Sequence, residues 1–221
     1  MSISPCLVLA FAAEVCGCAS RPEVSGHACV VLDIRNTDLC AAKQVVDGLS
    51  VVETTTGRHT TTDATGNFSV PIPDHATSAV LRVAEGAENR RISVVGVPRA
   101  PADDVLVPII TVDLWNTYLT ALHVPEEDPT RAAVHVSFPF PGETIASAAV
   151  AGATSLIFCQ GQPFEWGPQP PGDQTIAFMA FGVPVDAGTA TITVRARTDE
   201  VIFSGDVPVQ AGATTWLYLE P

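Results

Sequence analysis

Residues 60–70, TTTDATGNFSV, contain the turn that decides the fold of this chain. Threonine and β-branched residues on both sides of the turn favour strands. Asp63 suits the first position of a type I turn, where its carboxylate accepts backbone N–H groups. Gly66 suits a position with positive φ, because glycine has no Cβ to clash there. Phe68 follows as a core anchor, so the stretch predicts a tight hairpin between two strands.

Short strand-like runs continue outward from this turn along the whole chain. Examples before the middle of the sequence are CVVLDIR, LSVVETTT and SAVLRVA, and later examples are RAAVHVSF, TATITVRA and TTWLYLE. Each run is short, rich in β-branched residues, and bounded by Gly, Pro, Asn or Asp. The pattern predicts an all-β protein built from antiparallel β-sandwiches.

The two halves of the chain are similar to each other at an offset of 111 residues. FSVPIPDHATSAVLRV, residues 68–83, aligns with MAFGVPVDAGTATITV, residues 179–194. Further on, GVPRAPADDVLVPIITV, residues 96–112, runs in the same order as DVPVQAGATTWLYLEP, residues 206–221. Identity is low, and chance similarity is the alternative. The shared order and spacing favour two copies of one module.

A short helix is predicted between the two copies, with Asp113 as its cap. Apolar side chains recur there near a helical period, at Leu114, Tyr118, Leu119 and Leu122. We therefore expect an N-terminal segment at 1–18, a linker at 19–28, a first sandwich at 29–112, a helical linker at 113–130 and a second sandwich at 131–221.

The turn motif resembles the signature of carboxypeptidase regulatory-like domains, the transthyretin-like β-sandwich modules common in exported bacterial proteins. The residues that match its T-D-x-x-G-x-F pattern are Thr62, Asp63, Gly66 and Phe68. The resemblance covers about residues 28–112, whereas the second half lacks the turn motif and matches only in VPVDAGTATITVRA. It implies a non-catalytic module that acts as a spacer, a stabiliser or a binding unit.

The first residues, MSISPCLVLAFAAEVCGCAS, resemble a bacterial lipoprotein signal. An apolar run at 6–13 is too short to span a bilayer, and VCGC follows it with Cys18 at the acylated position. No Lys or Arg precedes the run and Glu14 interrupts its end, so a buried N-terminal strand is the alternative. The resemblance implies a lipid-anchored protein of the cell envelope, at the outer membrane or in the periplasm, whose anchor binds the membrane.

Export favours disulfides, and Cys29 with Cys40 is the nearer pair in the remaining chain. We expect these two to form a bridge, and Cys159 to be buried as a small hydrophobic residue. A zinc site is not expected. The chain has no C-x-x-C, and His27 with Cys29 supplies two of the four ligands that a structural zinc needs.

The charge of the chain argues against nucleic-acid binding. The formal net charge is −13, with 11 basic residues and no basic run, whereas phosphate binding needs clustered Lys and Arg. Asp103–Asp104 and Glu126–Asp128 offer oxygen ligands that calcium prefers, but neither has the spacing of a known calcium loop.

Catalytic motifs are absent from the sequence. It contains no G-x-S-x-G elbow and no H-E-x-x-H motif, so we expect neither an enzyme nor a cofactor. His135 alternates with Val134 and Val136, which places it on the outer face of a strand in this interpretation.

Aromatic residues in a Pro- and Gly-rich loop give the main alternative function. Phe164 and Trp166 lie in PFEWGPQPPG, and an exposed indole there would offer a flat face to a sugar or a peptide. The opposing interpretation is that Trp166 folds back over the end of its sandwich. Trp115 and Trp216 lie in periodic segments and are expected in the core. We thus expect a structural or protein-interaction role with an envelope partner, or carbohydrate or peptide binding by the 159–173 loop.

Overall fold

The computed structural model describes residues 21–33, 46–124, 128–137, 145–160, 165–168 and 175–219, together with the backbone of residues 36–40. The first half forms strands β1 (Glu23–Asp33), β2 (Asn36–Cys40), β3 (Ser50–Glu53), β4 (His59–Thr61), β5 (Asn67–Pro71), β6 (Ala79–Val83), β7 (Ile92–Val97) and β8 (Ala102–Ile109). Helix α1 (Val112–Ala121) follows. The second half forms β9 (Ala132–Ser137), β10 (Ile145–Val150), β11 (Ser155–Gln160), β12 (Glu165–Gly167), β13 (Ala177–Val183), β14 (Thr189–Ala196), β15 (Val201–Pro208) and β16 (Ala213–Tyr218). The predicted all-β class with a short connecting helix is confirmed.

The first sandwich has β1 at the centre of one sheet. This strand pairs antiparallel with β5 and β2 and parallel with β8. Strands β4, β3, β6 and β7 form the facing layer. Alternating residues of β5, Phe68 and Val70, are buried between the two layers. β1 begins at Glu23, so the sandwich starts before residue 29, where the sequence placed its border.

The second sandwich repeats this connectivity. β9 pairs antiparallel with β13 and parallel with β16, as β1 pairs with β5 and β8. β14 pairs with β15 and β10, as β6 pairs with β7 and β3. The segments that align at the offset of 111 residues, 68–83 and 179–194, therefore form equivalent strands in the two halves.

One continuous sheet of nine strands joins the two sandwiches, in the order β12-β11-β13-β9-β16-β7-β6-β3-β4. β16 lies at its centre and pairs in parallel with both β9 and β7. Val95, Trp216, His135 and Met179 are successive partners across this sheet, so they share one face. Val134 lies on the opposite face, in the second core. The two sandwiches are therefore built on opposite faces of one sheet.

Helix α1 packs on the second half of this sheet, against the face that carries Met179 and Phe181. Trp115 and Leu119 are its buried residues, and the Trp115 ring lies 5.6 Å from that of Phe181 on β13. Thr111 caps the helix, and its side-chain oxygen accepts a hydrogen bond from the Leu114 N–H. Asp113 was predicted to cap the helix, but it lies in the first turn. A threonine one residue before the helix has the extended backbone that a cap requires.

Candidate functional site

The T-D-x-x-G-x-F turn is ordered by its aspartate. One carboxylate oxygen of Asp63 accepts hydrogen bonds from the Thr65 N–H at 2.9 Å, the Thr65 hydroxyl at 2.7 Å and the Asn67 N–H at 2.9 Å. Gly66 has a φ of 90°, which side-chain-bearing residues rarely adopt. The turn residues therefore have the local roles that the sequence predicted.

The strands on either side of this turn do not form the predicted hairpin. β4 pairs with β3, whereas β5 pairs with β1 in the other sheet. The backbone beside the turn is used by other segments: the Ala28 N–H donates to the Gly66 carbonyl, and the Thr62 hydroxyl donates to the Val46 carbonyl. The motif thus carries the chain from one layer of the sandwich to the other.

The hydrogen bonds to Asp63 make the stability of the protein depend on pH in the acid range. Bonds from the Thr65 hydroxyl and the Asn67 N–H lower the pKa of Asp63 from 3.8 to about 2. A group whose pKa is lower in the folded state stabilises the fold above its unfolded pKa, and this contribution is lost as the pH falls toward about 2. We expect the urea midpoint to fall more steeply between about pH 4 and about pH 2 in the wild type than in Asp63→Asn. Replacing the exposed Asp186 in the same way is the control, and equal slopes for Asp63→Asn and wild type would contradict the assignment.

Glu53 is a buried carboxylate to which no motif in the sequence points. It is 1% exposed and accepts hydrogen bonds from the N–H groups of Thr55 and Thr56 at 2.9 and 2.8 Å. Burial raises its pKa, but the hydrogen bonds from Thr56 and Thr55 outweigh burial, and the pKa lies below its ordinary value. The carboxylate is engaged by its own turn, which argues for a structural role.

A set of buried polar contacts lies where the two sandwiches meet. The Arg91 guanidinium donates to the Thr214 hydroxyl at 3.0 Å and to the Ala213 carbonyl at 3.1 Å, and it lies 4.2 Å from the centre of the Trp115 ring. One side chain thus ties the segment before β7 to β16 and to α1. A charge-assisted bond and a cation–π contact in a buried site both hold the junction together.

Trp216 continues this junction into the centre of the shared sheet. Its indole N–H donates to the Ser93 hydroxyl at 3.2 Å, and that hydroxyl donates to the Pro108 carbonyl at 2.5 Å. Trp115 and Trp216 are both buried, at 2% and 0% exposure, so the prediction that they are core residues is confirmed. No local signal in the sequence pairs Arg91 or Ser93 with residues more than 100 positions away.

His135 was predicted on an outer strand face, and this prediction is wrong. The residue is 1% exposed, and its ring centre lies 4.9 Å from that of Trp216 and 5.8 Å from that of Trp166. The alternation was interpreted as one buried face and one solvated face. In the shared sheet, both faces of β9 are covered.

The aromatic loop is only partly described. Trp166 lies on β12 opposite Cys159, is half-buried, and packs against the hydrophobic cluster that contains Trp216. Phe164 lies outside the described residues. The position of the Trp166 ring favours the interpretation that it covers the sheet.

Of the four cysteines singled out in the sequence, Cys29 and Cys159 are described with their side chains. Cys29 is buried and disulfide-bonded. The backbone of Cys40 pairs with Val31, two residues from Cys29 on the same strand, while the side chain of Cys40 lies outside the description. The Cys29–Cys40 pairing therefore stays a prediction. Cys159 is a fully buried thiol, as predicted, and Cys18 lies outside the described residues.

Two residues of the acidic clusters, Asp103 and Asp128, accept hydrogen bonds from protein groups. The Ser25 hydroxyl donates to Asp103 at 2.8 Å, and Asp128 accepts from the N–H and the hydroxyl of Thr130. Glu126 lies outside the described residues. Within the described ranges, no three His, Cys, Asp or Glu side chains come together as a metal site. In that same part of the chain, no helix has the length and apolar character needed to cross a bilayer.

Comparison with known proteins adds no family to this geometry. No protein-family model matches the chain, and no curated protein matches it.

Proposed function

We propose that this protein is a non-catalytic, exported cell-envelope lipoprotein, and that its paired sandwiches serve as a rigid structural or protein-interaction unit. The observation that carries the rigid-unit part is the nine-stranded sheet shared by the two sandwiches. Modules linked only by a flexible connector reorient freely, whereas a shared sheet with a buried interface fixes their relative position.

The junction contacts support the same role. Arg91 of the first sandwich donates a buried hydrogen bond to Thr214 of the second. The Trp216 indole of the second sandwich donates to Ser93 of the first, which in turn donates to the Pro108 carbonyl. Buried polar groups with satisfied partners rigidify a fold and define one arrangement of it. At this junction the polar groups of Arg91 and Trp216 make hydrogen bonds within the protein.

The envelope location is tested by the intact mass of the protein purified from native membranes, with and without reduction. We expect a mass that corresponds to a chain beginning at Cys18 with attached acyl chains, and a rise of about two daltons on reduction of one disulfide. An unmodified chain that keeps residues 1–17 and shows no shift on reduction would overturn export and lipidation together.

Carbohydrate or peptide binding by the 159–173 loop is the alternative function. The half-buried Trp166 favours it less than the structural role, because part of its ring packs against the protein. A shift in Trp166 fluorescence on titration with a glycan or peptide, abolished in Trp166→Phe, would support the alternative.

A further inference from the structure

The two sandwiches are joined by one pair of edge strands, β7 and β16. Because the two modules are copies of one another, each of these edges has an equivalent elsewhere in the chain. Ala213–Trp216 of β16 pair in parallel with Ile92–Val95 of β7. β7 belongs to the first module and β16 to the second. Since every module has a strand equivalent to β7 and a strand equivalent to β16, the same chain also carries a second edge of each kind.

The second edge of the β16 kind is β8. Gly26 of β1 corresponds to His135 of β9, because their partners on β5 and β13 are equivalent at the offset of 111 residues. Gly26 pairs with Val105, and His135 pairs with Trp216. Val105 on β8 therefore corresponds to Trp216, and the segment before it corresponds to the part of β16 that pairs with β7.

This β8 edge is blocked at the corresponding segment. Ala102 pairs with Val24 and Val105 pairs with Gly26. Two residues of β8, Asp103 and Asp104, therefore lie opposite one residue of β1, which makes a bulge. Asp104 has a φ of 58°. A bulge and adjacent charges are devices by which an edge strand avoids further pairing.

The second edge of the β7 kind is β15. Leu81 and Ile192 are equivalent in the repeat, Leu81 pairs with Val95, and Ile192 pairs with Gly205. Gly205 on β15 therefore corresponds to Val95, which pairs with β16. In the described part of the chain, β15 pairs only with β14, and its register is regular from Phe203 to Pro208.

The backbone of β15 is set up to accept another strand. The Val209 N–H donates to the Gly188 carbonyl, so alternate residues of β15 face β14, and the N–H groups of Ser204 and Asp206 face away from it. Both of these residues are exposed. β15 also runs close to β7, where Gly96 has no side chain and a Cβ placed on it would meet no atom within 4 Å.

We propose that β15 is an acceptor edge, and that its partner is the β16-type edge strand of another β-sandwich module, bound in parallel over residues 203–205, the equivalents of residues 93–95 on β7. The intramolecular β7–β16 pair is the template for this contact. The asymmetry between an open β15 and a blocked β8 lets the protein accept a partner at one end without polymerising. This deepens the interaction role proposed above, but it depends on neither export nor lipidation.

The test gives this chain a donor edge. In the donor variant Asp104 is deleted, Asp103→Thr is introduced and Ser204→Pro closes its own β15, each in the full chain. Mixed with wild type, a donor shown to be folded by circular dichroism is expected to form a one-to-one complex in analytical ultracentrifugation. Wild type carrying Ser204→Pro is expected to bind it at least about tenfold more weakly, because proline removes an outward N–H. The variant with the β8 changes alone is expected to form longer head-to-tail oligomers.

A folded donor that stays monomeric beside wild type would overturn the proposal, and so would equal binding to the Ser204→Pro protein. A synthetic peptide of residues 211–219, AGATTWLYL, is a second donor that does not depend on folding. Its binding to wild type, lost with Ser204→Pro, would support the acceptor edge. If the β8 variant does not fold and the peptide also fails to bind at millimolar concentration, the proposal is wrong. Since the proteins are purified and unlipidated, these results are independent of the mass measurement.

Discussion

Replacing Gly66 by valine is expected to lower the free energy of unfolding by about 4 kcal/mol, the sum of backbone strain and steric overlap. The residue has a φ of 90°, where a β-branched side chain is strained. A Cβ at this position would also lie 2.3 Å from the Ala28 carbonyl oxygen and 2.9 Å from a Val46 methyl carbon. The first of these neighbours is backbone of β1 and cannot move aside. Urea denaturation followed by circular dichroism measures the loss.

A matched variant separates the two causes. Gly57 also has a positive φ, of 70°, but a Cβ there would meet nothing within 4 Å. Gly57→Val should therefore cost only the strain, about 1–2 kcal/mol. If both valine variants lost the same stability, the contact with Ala28 would carry no weight in the turn.

Trp216→Ala is expected to cost about 4 kcal/mol, since truncating a fully buried tryptophan leaves a large cavity. The side chain is 0% exposed, contacts the His135 ring and donates to the Ser93 hydroxyl. Its position on the strand shared by the sandwiches means that the cavity borders the junction. We expect the variant to unfold at a lower urea concentration than the wild type and to be cleaved faster in limited proteolysis.

Two controls accompany this variant. Trp216→Phe keeps most of the volume and loses the indole hydrogen bond, so it should cost about 1–2 kcal/mol. Tyr218→Ala on the same strand removes a side chain that is 36% exposed and should cost less than Trp216→Ala. A Trp216→Ala protein as stable as Tyr218→Ala would show that the junction core contributes little.

Local features of the fold could be predicted from the sequence because their causes are local. Asp63, Gly66 and Phe68 act within one turn, and a pattern of a few residues is enough to recognise that turn. What the turn connects could not be predicted in the same way. The pairing of β4 with β3 and of β5 with β1 depends on residues 28 and 46, which bind the turn from outside.

The junction of the sandwiches was hidden for a related reason. An alternating strand such as the one around His135 has the same pattern whether its second face meets water or a helix. Long-range packing settles which of these occurs: the Trp166 ring packs near His135, and Trp115 of α1 packs against Phe181 on the neighbouring strand. Likewise, Arg91 precedes an ordinary apolar run, and its partner Thr214 lies far along the chain, where no periodicity refers back to it.

The central position of β16 also has a consequence for how the chain is made. This strand follows every other described strand in sequence, yet it fills the gap between β7 and β9. During synthesis, the other strands of both modules emerge before the strand that joins the modules. Until β16 is in place, the edges of β7 and β9 carry unpaired N–H and C=O groups that can pair with another extended chain. The nascent protein therefore keeps two unpaired strand edges until a late, long-range pairing step covers both of them.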